Sequence, residues 1–344
     1  MSNRLLNSLR PTETLELEGG LSLVPRIKLL LTVYRADKSV NPFDEWKFKR
    51  SLIDYMKSSF FITVPEEDLQ IRKFKDLNKR KREEPVARGR LFVHDLGFLS
   101  KVIGETGDDV ERADKKFLEW RRGFVEKLNG IELNLEGTKF NLNVAVPVSD
   151  DFEGMKKEWE EIIAFGARGY QRSAKMQPDT IVLKGMPSRW FAETRVSSKP
   201  SMLVTHTIVS VLGKIRQVLL VVFISSIRLN LHVAEDNSIG DGADEEDIVS
   251  GLHCKIVVRF EKHKDFHDAL KILCGRSLQK QGSQLRADYD VTWDKDGFFL
   301  DARHQIEERK RMPARGMEER DEGHRQHSRV SQFSSEEGRK RFKV

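Results

Sequence analysis

Two histidines four residues apart, His263 and His267, are the first residues whose spacing suggests chemistry, because such a pair on a helix can hold a metal. The glutamate of an HExxH motif is missing and no third ligand is evident, so a surface pair is expected. The stretch AEDNSIGDGADEED (234–247) has the composition of a calcium loop. Its glycines and carboxylates are out of register with that motif, which leaves an acidic solvated loop. Cys254 and Cys274 are the only cysteines and form no metal-ligand spacing. They suit a reducing compartment and argue against a disulfide scaffold. The sequence offers no glycine-rich phosphate loop, no nucleophile motif and no convergent acid–base set. A non-enzyme with no metal and no cofactor is therefore expected.

What remains is cationic chemistry. Lys and Arg number 60 against 54 Asp and Glu, giving a net charge of +6 and a pI near 9.1, a mild excess that suits an acidic partner such as nucleic acid. NKRKREEP (78–85) places Lys79, Arg80, Lys81 and Arg82 in a row, and GRKRFK (338–343) adds Arg339, Lys340 and Arg341. Each cluster reads either as a nuclear localisation signal or phosphate contact, or as a solvated loop or tail. HCKIVVRF (253–260) is a strand with a basic end, carrying Lys255, Val257 and Arg259. SRWF (188–191) sets Arg189, Trp190 and Phe191 in a loop; an aromatic there either meets a base or, the expected reading, anchors the core.

These residues need elements to position them. The length fits two domains. In the first half, IKLLLTVY (27–34) reads as a strand. A helix follows, capped at Asn41 with Pro42 at its first position and an apolar stripe of Trp46, Leu52, Ile53 and Met56. LQIRKF (69–74) and GRLFVHDL (89–96) are strands, 109–128 is a helix, and KFNLNVAV (139–146) is the last strand. The second half repeats the order: strand TIVLKGM (180–186), helix 202–213, strand candidates within 215–233, strand HCKIVVRF, helix 264–275 and strand RADYDVTW (286–293). Between the halves, 150–169 reads as a connecting helix with Trp159 and Ile162 on one side. The run VLLVVFI (218–224) lies between Arg216 and Arg228 and is too short to span a membrane, and the N-terminus lacks the apolar core of a secretory signal. A membrane partner is not expected.

The expected fold class is α+β, with two ferredoxin-like βαββαβ domains of RNA-recognition type joined by a helix. The expected boundaries are a flexible N-terminus over 1–20, a divergent first domain over 21–148, the connecting helix over 149–170, a second domain over 171–300, and a charged disordered tail over 301–344. Strand parity puts Ile256, Val258 and Phe260 on the core side of HCKIVVRF and Lys255, Val257 and Arg259 on the open side. On the first strand of that domain, Val182 and Lys184 face the same open side. RNA-recognition domains stack bases on rings at three such positions, which here hold Lys255, Val257 and Val182. A stacked base contributes about 1–3 kcal/mol, so contact with RNA is expected to be weak and ionic.

The segment PDTIVLKGMPSRWFA (178–192), preceded by the helix with Trp159 and followed by LGKIR (212–216), resembles the A-kinase anchoring protein 17A family, splicing-associated proteins with RNA-recognition-type domains. The first half is similar more loosely. The resemblance implies a nuclear role in pre-mRNA splicing, with pre-mRNA and spliceosomal proteins as partners. Animal members extend into a long arginine/serine-rich tail that anchors protein kinase A. Residues 301–332 show no spaced apolar stripe, so binding of the kinase regulatory subunit is not carried over. IRQVLLVV (215–222) and IRLNLHVA (227–234) both qualify as the second strand, which suggests an insertion of about a dozen residues within 217–229, or else an extra edge strand. GRSL (275–278) is similar to the Arg-x-Phe signature of related domains that bind peptides, with Leu278 in place of Phe. It supports an alternative role as a protein-interaction adaptor without RNA.

Overall fold

In the computed structural model, residues 6–36, 43–74, 84–99, 110–166, 177–193, 199–222 and 252–295 are described, and all that follows concerns them. They build five α-helices and three antiparallel sheets, an α+β architecture.

Alternating apolar residues make β3 (Ile27–Arg35): Ile27, Leu29, Leu31 and Val33 are buried in one core. Helix α1 (Glu45–Phe60) covers that side with Phe48, Leu52 and Met56, and α2 (Val110–Leu128) adds Phe124 and Leu128. The cap of α1 is Asp44, whose carboxylate accepts from the amides of Trp46 and Lys47 at 3.0 and 3.2 Å; the expected cap, Asn41, lies outside the described residues. Trp46, expected in the apolar stripe, is 54% exposed, and Phe48 takes the buried position. Strands β4 (Leu69–Lys73), β5 (Ala87–Val93), β6 (Glu132–Leu135) and β7 (Thr138–Ala145) complete a sheet in the order β4-β5-β3-β7-β6. Gly89 is required where β5 meets β4, since a Cβ there would lie 2.5 Å from the Gln70 carbonyl oxygen.

The second half repeats the plan. Strands β8 (Thr180–Pro187), β9 (Ile215–Val222), β10 (His253–Phe260) and β13 (Asp290–Trp293) form a sheet in the order β13-β8-β10-β9. Ile181, Leu183, Ile256, Val258 and Phe260 pack on helix α4 (Met202–Ser210) through Ile208 and Val209, and on α5 (His263–Leu273) through Phe266, Ala269 and Leu270. The connecting helix α3 (Phe152–Gly166) joins this core through Met155 and Trp159, one turn apart; Ile162, expected beside Trp159, is 46% exposed. Trp159 meets Phe266, His263 and His267 edge-on, and His263 Nδ1 lies 2.7 Å from the Pro178 carbonyl oxygen. The histidine pair therefore lines an aromatic contact.

Three expectations are corrected. The stretch 1–20 was expected to be flexible, yet β1 (Leu15–Leu17) and β2 (Leu21–Pro25) form a hairpin that pairs with β11 (Arg276–Lys280), and Leu9, Leu21 and Leu23 enter the second core. Apolar side chains at alternate positions, with a long-range partner strand, outweigh the local polarity that suggested disorder. RADYDVTW does not form one strand: β12 (Arg286–Ala287) pairs with β11 in the third sheet, and β13 pairs with β8 in the second. Tyr289 lies between them, its hydroxyl donating to the Leu273 carbonyl at 3.0 Å. Finally, β9 is IRQVLLVV and pairs with β10 along its length, so 217–222 is sheet and not surplus; IRLNLHVA lies outside the described residues.

Residues Met1–Asp294 form one compact unit, so the two halves expected as separate domains are held together. Arg26, between β2 and β3, is the central link: its buried guanidinium pairs with Asp150 and, at 2.7 Å, with Asp288. Burial works against its charge, but the two carboxylates outweigh that effect and raise its pKa. Lys28 of β3 reaches Asp290 of β13 at 2.8 Å. Lys271 pairs with Asp114 from α5 to α2.

Candidate nucleic-acid interface

The register of the second sheet fixes what HCKIVVRF presents. Val257 lies between Val182 of β8 and Leu219 of β9, and Lys255 lies opposite Val221. Val257 is 0% exposed and Val182 6%, although both stand on the side away from the core. The expected open position is closed to solvent. Arg259 is also buried, with its Nε 2.7 Å from Asp179 Oδ2. This corrects the reading of Val257 and Arg259 as open-face contacts: one is packed and the other is held by a carboxylate.

The other candidates are nearer solvent. Lys184 is exposed, in register with Asp290; Arg189 is exposed in the 3₁₀ turn Ser188–Phe191; Lys255 is half-buried. Trp190 is half-buried against the second core and Phe191 fully buried within it, which is the anchoring role expected of SRWF. Lys79, Arg80, Lys81, Arg82, Arg339, Lys340 and Arg341 lie outside the described residues. In GRSL, Arg276 donates to the carbonyls of Ile272 at 2.8 Å and Arg10 at 2.9 Å, and Leu278 is buried. These residues hold the N-terminal segment in place and are not presented at the surface. Burial pushes the Cys254 thiol up to about 11 and Cys274 well above its ordinary value, so neither favours the thiolate.

The first sheet carries a face that strand assignment in the second half did not reveal. Residues of β3, β4 and β5 that point away from the helices are Leu30, Thr32, Tyr34, Gln70, Arg72, Arg88, Arg90 and Phe92. Phe92 is buried against Arg26, whose guanidinium carbon lies 5.7 Å from the ring centre. The period-two pattern Arg72, then Arg88-x-Arg90, was the available sequence signal.

Two antiparallel sheets, each backed by helices on one side, make the described residues an α+β protein. A family model described as AKAP-17A-like, RNA-binding domain, matches residues 113–335, from α2 through the whole second sheet. That is more than half of the chain, and the protein belongs to this family. No curated protein matches it.

Proposed function

We propose that this protein is a nuclear RNA-binding factor of pre-mRNA splicing, with a binding role and no catalysis, built from two ferredoxin-like folds. The family match over 113–335 is the observation that carries the RNA-binding part. The strand orders β4-β5-β3-β7 and β13-β8-β10-β9 support the ferredoxin-like reading, since in chain order each places the fourth and third strands on either side of the first. Contact with RNA is ionic: Lys184, Arg189 and Lys255 stand at the edge and face of the second sheet, while the burial of Val257 and Val182 removes base stacking there. That closed face also favours the second reading, an adaptor that binds a spliceosomal peptide or a kinase subunit in place of RNA. The nuclear part of the proposal rests on the two basic clusters, 79–82 and 339–341. A fluorescent fusion of the intact chain is expected to accumulate in the nucleus and to lose that accumulation only when both clusters are neutralised. An unmutated fusion that stays in the cytoplasm refutes it.

A further inference from the structure

We propose that the outer ridge of helix α1, with Trp46 and Phe61 at its ends and Arg50 and Lys57 between them, is a docking surface for an acidic helix of a partner protein. The ridge lies on the helix side of the first half and is independent of the RNA contact proposed above.

Helix α1 turns Phe48, Leu52 and Met56 into the core. At 3.6 residues per turn, Trp46, Arg50, Asp54, Lys57 and the cap residue Phe61 fall on the opposite side, within an arc of about 80° and along about 22 Å. All five are exposed, Trp46 at 54% and Phe61 at 88%. Phe61 closes the helix at φ 58°, a left-handed conformation that glycine adopts freely and a large side chain adopts under strain. Its backbone has a local duty, because the next residue, Ile62, returns to the core. Its exposed ring contributes almost no burial in exchange for that strain. A strained position carrying an exposed ring points to a role outside the fold. At the other end of the ridge the Arg50 guanidinium carbon lies 4.7 Å from the Trp46 ring centre, so the two side chains order each other before any partner arrives. Trp and Arg are the residue types on which binding energy at protein interfaces concentrates.

Charge selects the partner. Between the rings the ridge presents Arg50 and Lys57, with Lys49 half-buried beside them, and among the described residues none of the three makes an ion pair. The neighbouring carboxylates are engaged: Glu136 holds Lys47 at 2.7 Å, Asp44 accepts from the amides of Trp46 and Lys47, and Glu45 accepts from the amide of Lys73 at 2.8 Å. Asp54 is the one acid between the rings, and Glu66 and Glu67 follow beyond Phe61. The span from Trp46 to Phe61 therefore carries an excess of positive charge. A helix laid along it meets the ridge with two apolar residues about four turns apart and carboxylates between them, the spaced-anchor mode of amphipathic helices. Nucleic acid fits less well, because Arg50 covers one face of Trp46 and the two rings stand too far apart to stack neighbouring bases.

The test selects binders of the intact chain from a displayed library of helical peptides of about twenty residues, enough to span the ridge, with an alanine-rich frame and outer positions drawn from Glu, Lys, Leu and Phe. Enriched peptides are expected to be rich in Glu and to carry two apolar anchors; enrichment of Lys-rich peptides, or of none, overturns the inference. For the best enriched peptide, Trp46→Gln and Phe61→Gly are each expected to weaken binding about tenfold or more, and Arg50→Glu with Lys57→Glu about as much. Full binding by the Trp46→Gln and Phe61→Gly variants overturns the inference. Phe61→Gly is expected to hold or raise the melting temperature, since glycine relieves the left-handed strain; a clear fall shows that the ring serves the fold and overturns its role as an anchor. Both variants are expected to keep the parent's affinity for oligo-uridine RNA, and a loss there makes the ridge a nucleic-acid surface and overturns the docking proposal. A chain that binds the peptide and no RNA supports the docking proposal and overturns only the RNA-binding reading above.

Discussion

Val257 shows how far a single position can be read from sequence. Parity places it on the side of β10 away from Ile256 and Val258, and the structure keeps it there. Parity carries no information on what lies over that side, and the residue has no exposed surface. A ring at this site has no base to meet and no room: Val257→Phe is expected to cost about 1–3 kcal/mol by overpacking and to leave RNA affinity no higher. Urea unfolding with a parallel RNA titration measures both. A variant as stable as the parent and tighter for RNA contradicts the closed face. Arg259 follows the same logic, since a strand residue of suitable sign for phosphate is already paired with Asp179, which precedes β8 by one position and was not visible as its partner in the sequence.

At the scale of elements, periodicity was a sound guide wherever the stabilising contacts are local to a face. β3, β8, β10, α2 and α5 fall within a residue or two of their expected bounds, because each alternates or repeats cleanly against its own core. It was a poor guide where pairing is long-range. The third sheet joins residues 15–25 to 276–287, and no local pattern announces a partner some 250 positions away. The break of 286–293 between two sheets follows from that pairing. The Lys28–Asp290 bridge ties the first sheet to the second and has a pH signature. Burial pushes the Asp290 carboxyl up, but Lys28 pulls it further down by charge and hydrogen bond, so its pKa lies below the ordinary value. The stabilisation is present in full above the unfolded value of about 4 and is lost as pH falls through the folded value. With the Asp290 side chain 58% exposed, solvent screening keeps the effect small. Between pH 6 and pH 3 the melting temperature of the parent is expected to fall further than that of Asp290→Asn. Equal falls contradict the bridge.

At the scale of the molecule, the α+β class and the family were legible in the sequence, the family through the segment around 178–192. The unity of the two halves was not. It depends on Arg26, a residue that on sequence alone is one more cation at a strand end, yet is buried between Asp150 and Asp288. The cationic face of the first sheet was hidden for a related reason: its arginines are separated by a charged loop in sequence and become neighbours only when β4 pairs with β5. The measurement that tests the central claim most directly is ultraviolet crosslinking of the intact protein to RNA in cells, followed by mapping of the crosslinked peptides. Crosslinks are expected in peptides around Lys184, Arg189 and Lys255. Recovery of the protein with no crosslinked RNA, bound to spliceosomal proteins alone, contradicts it.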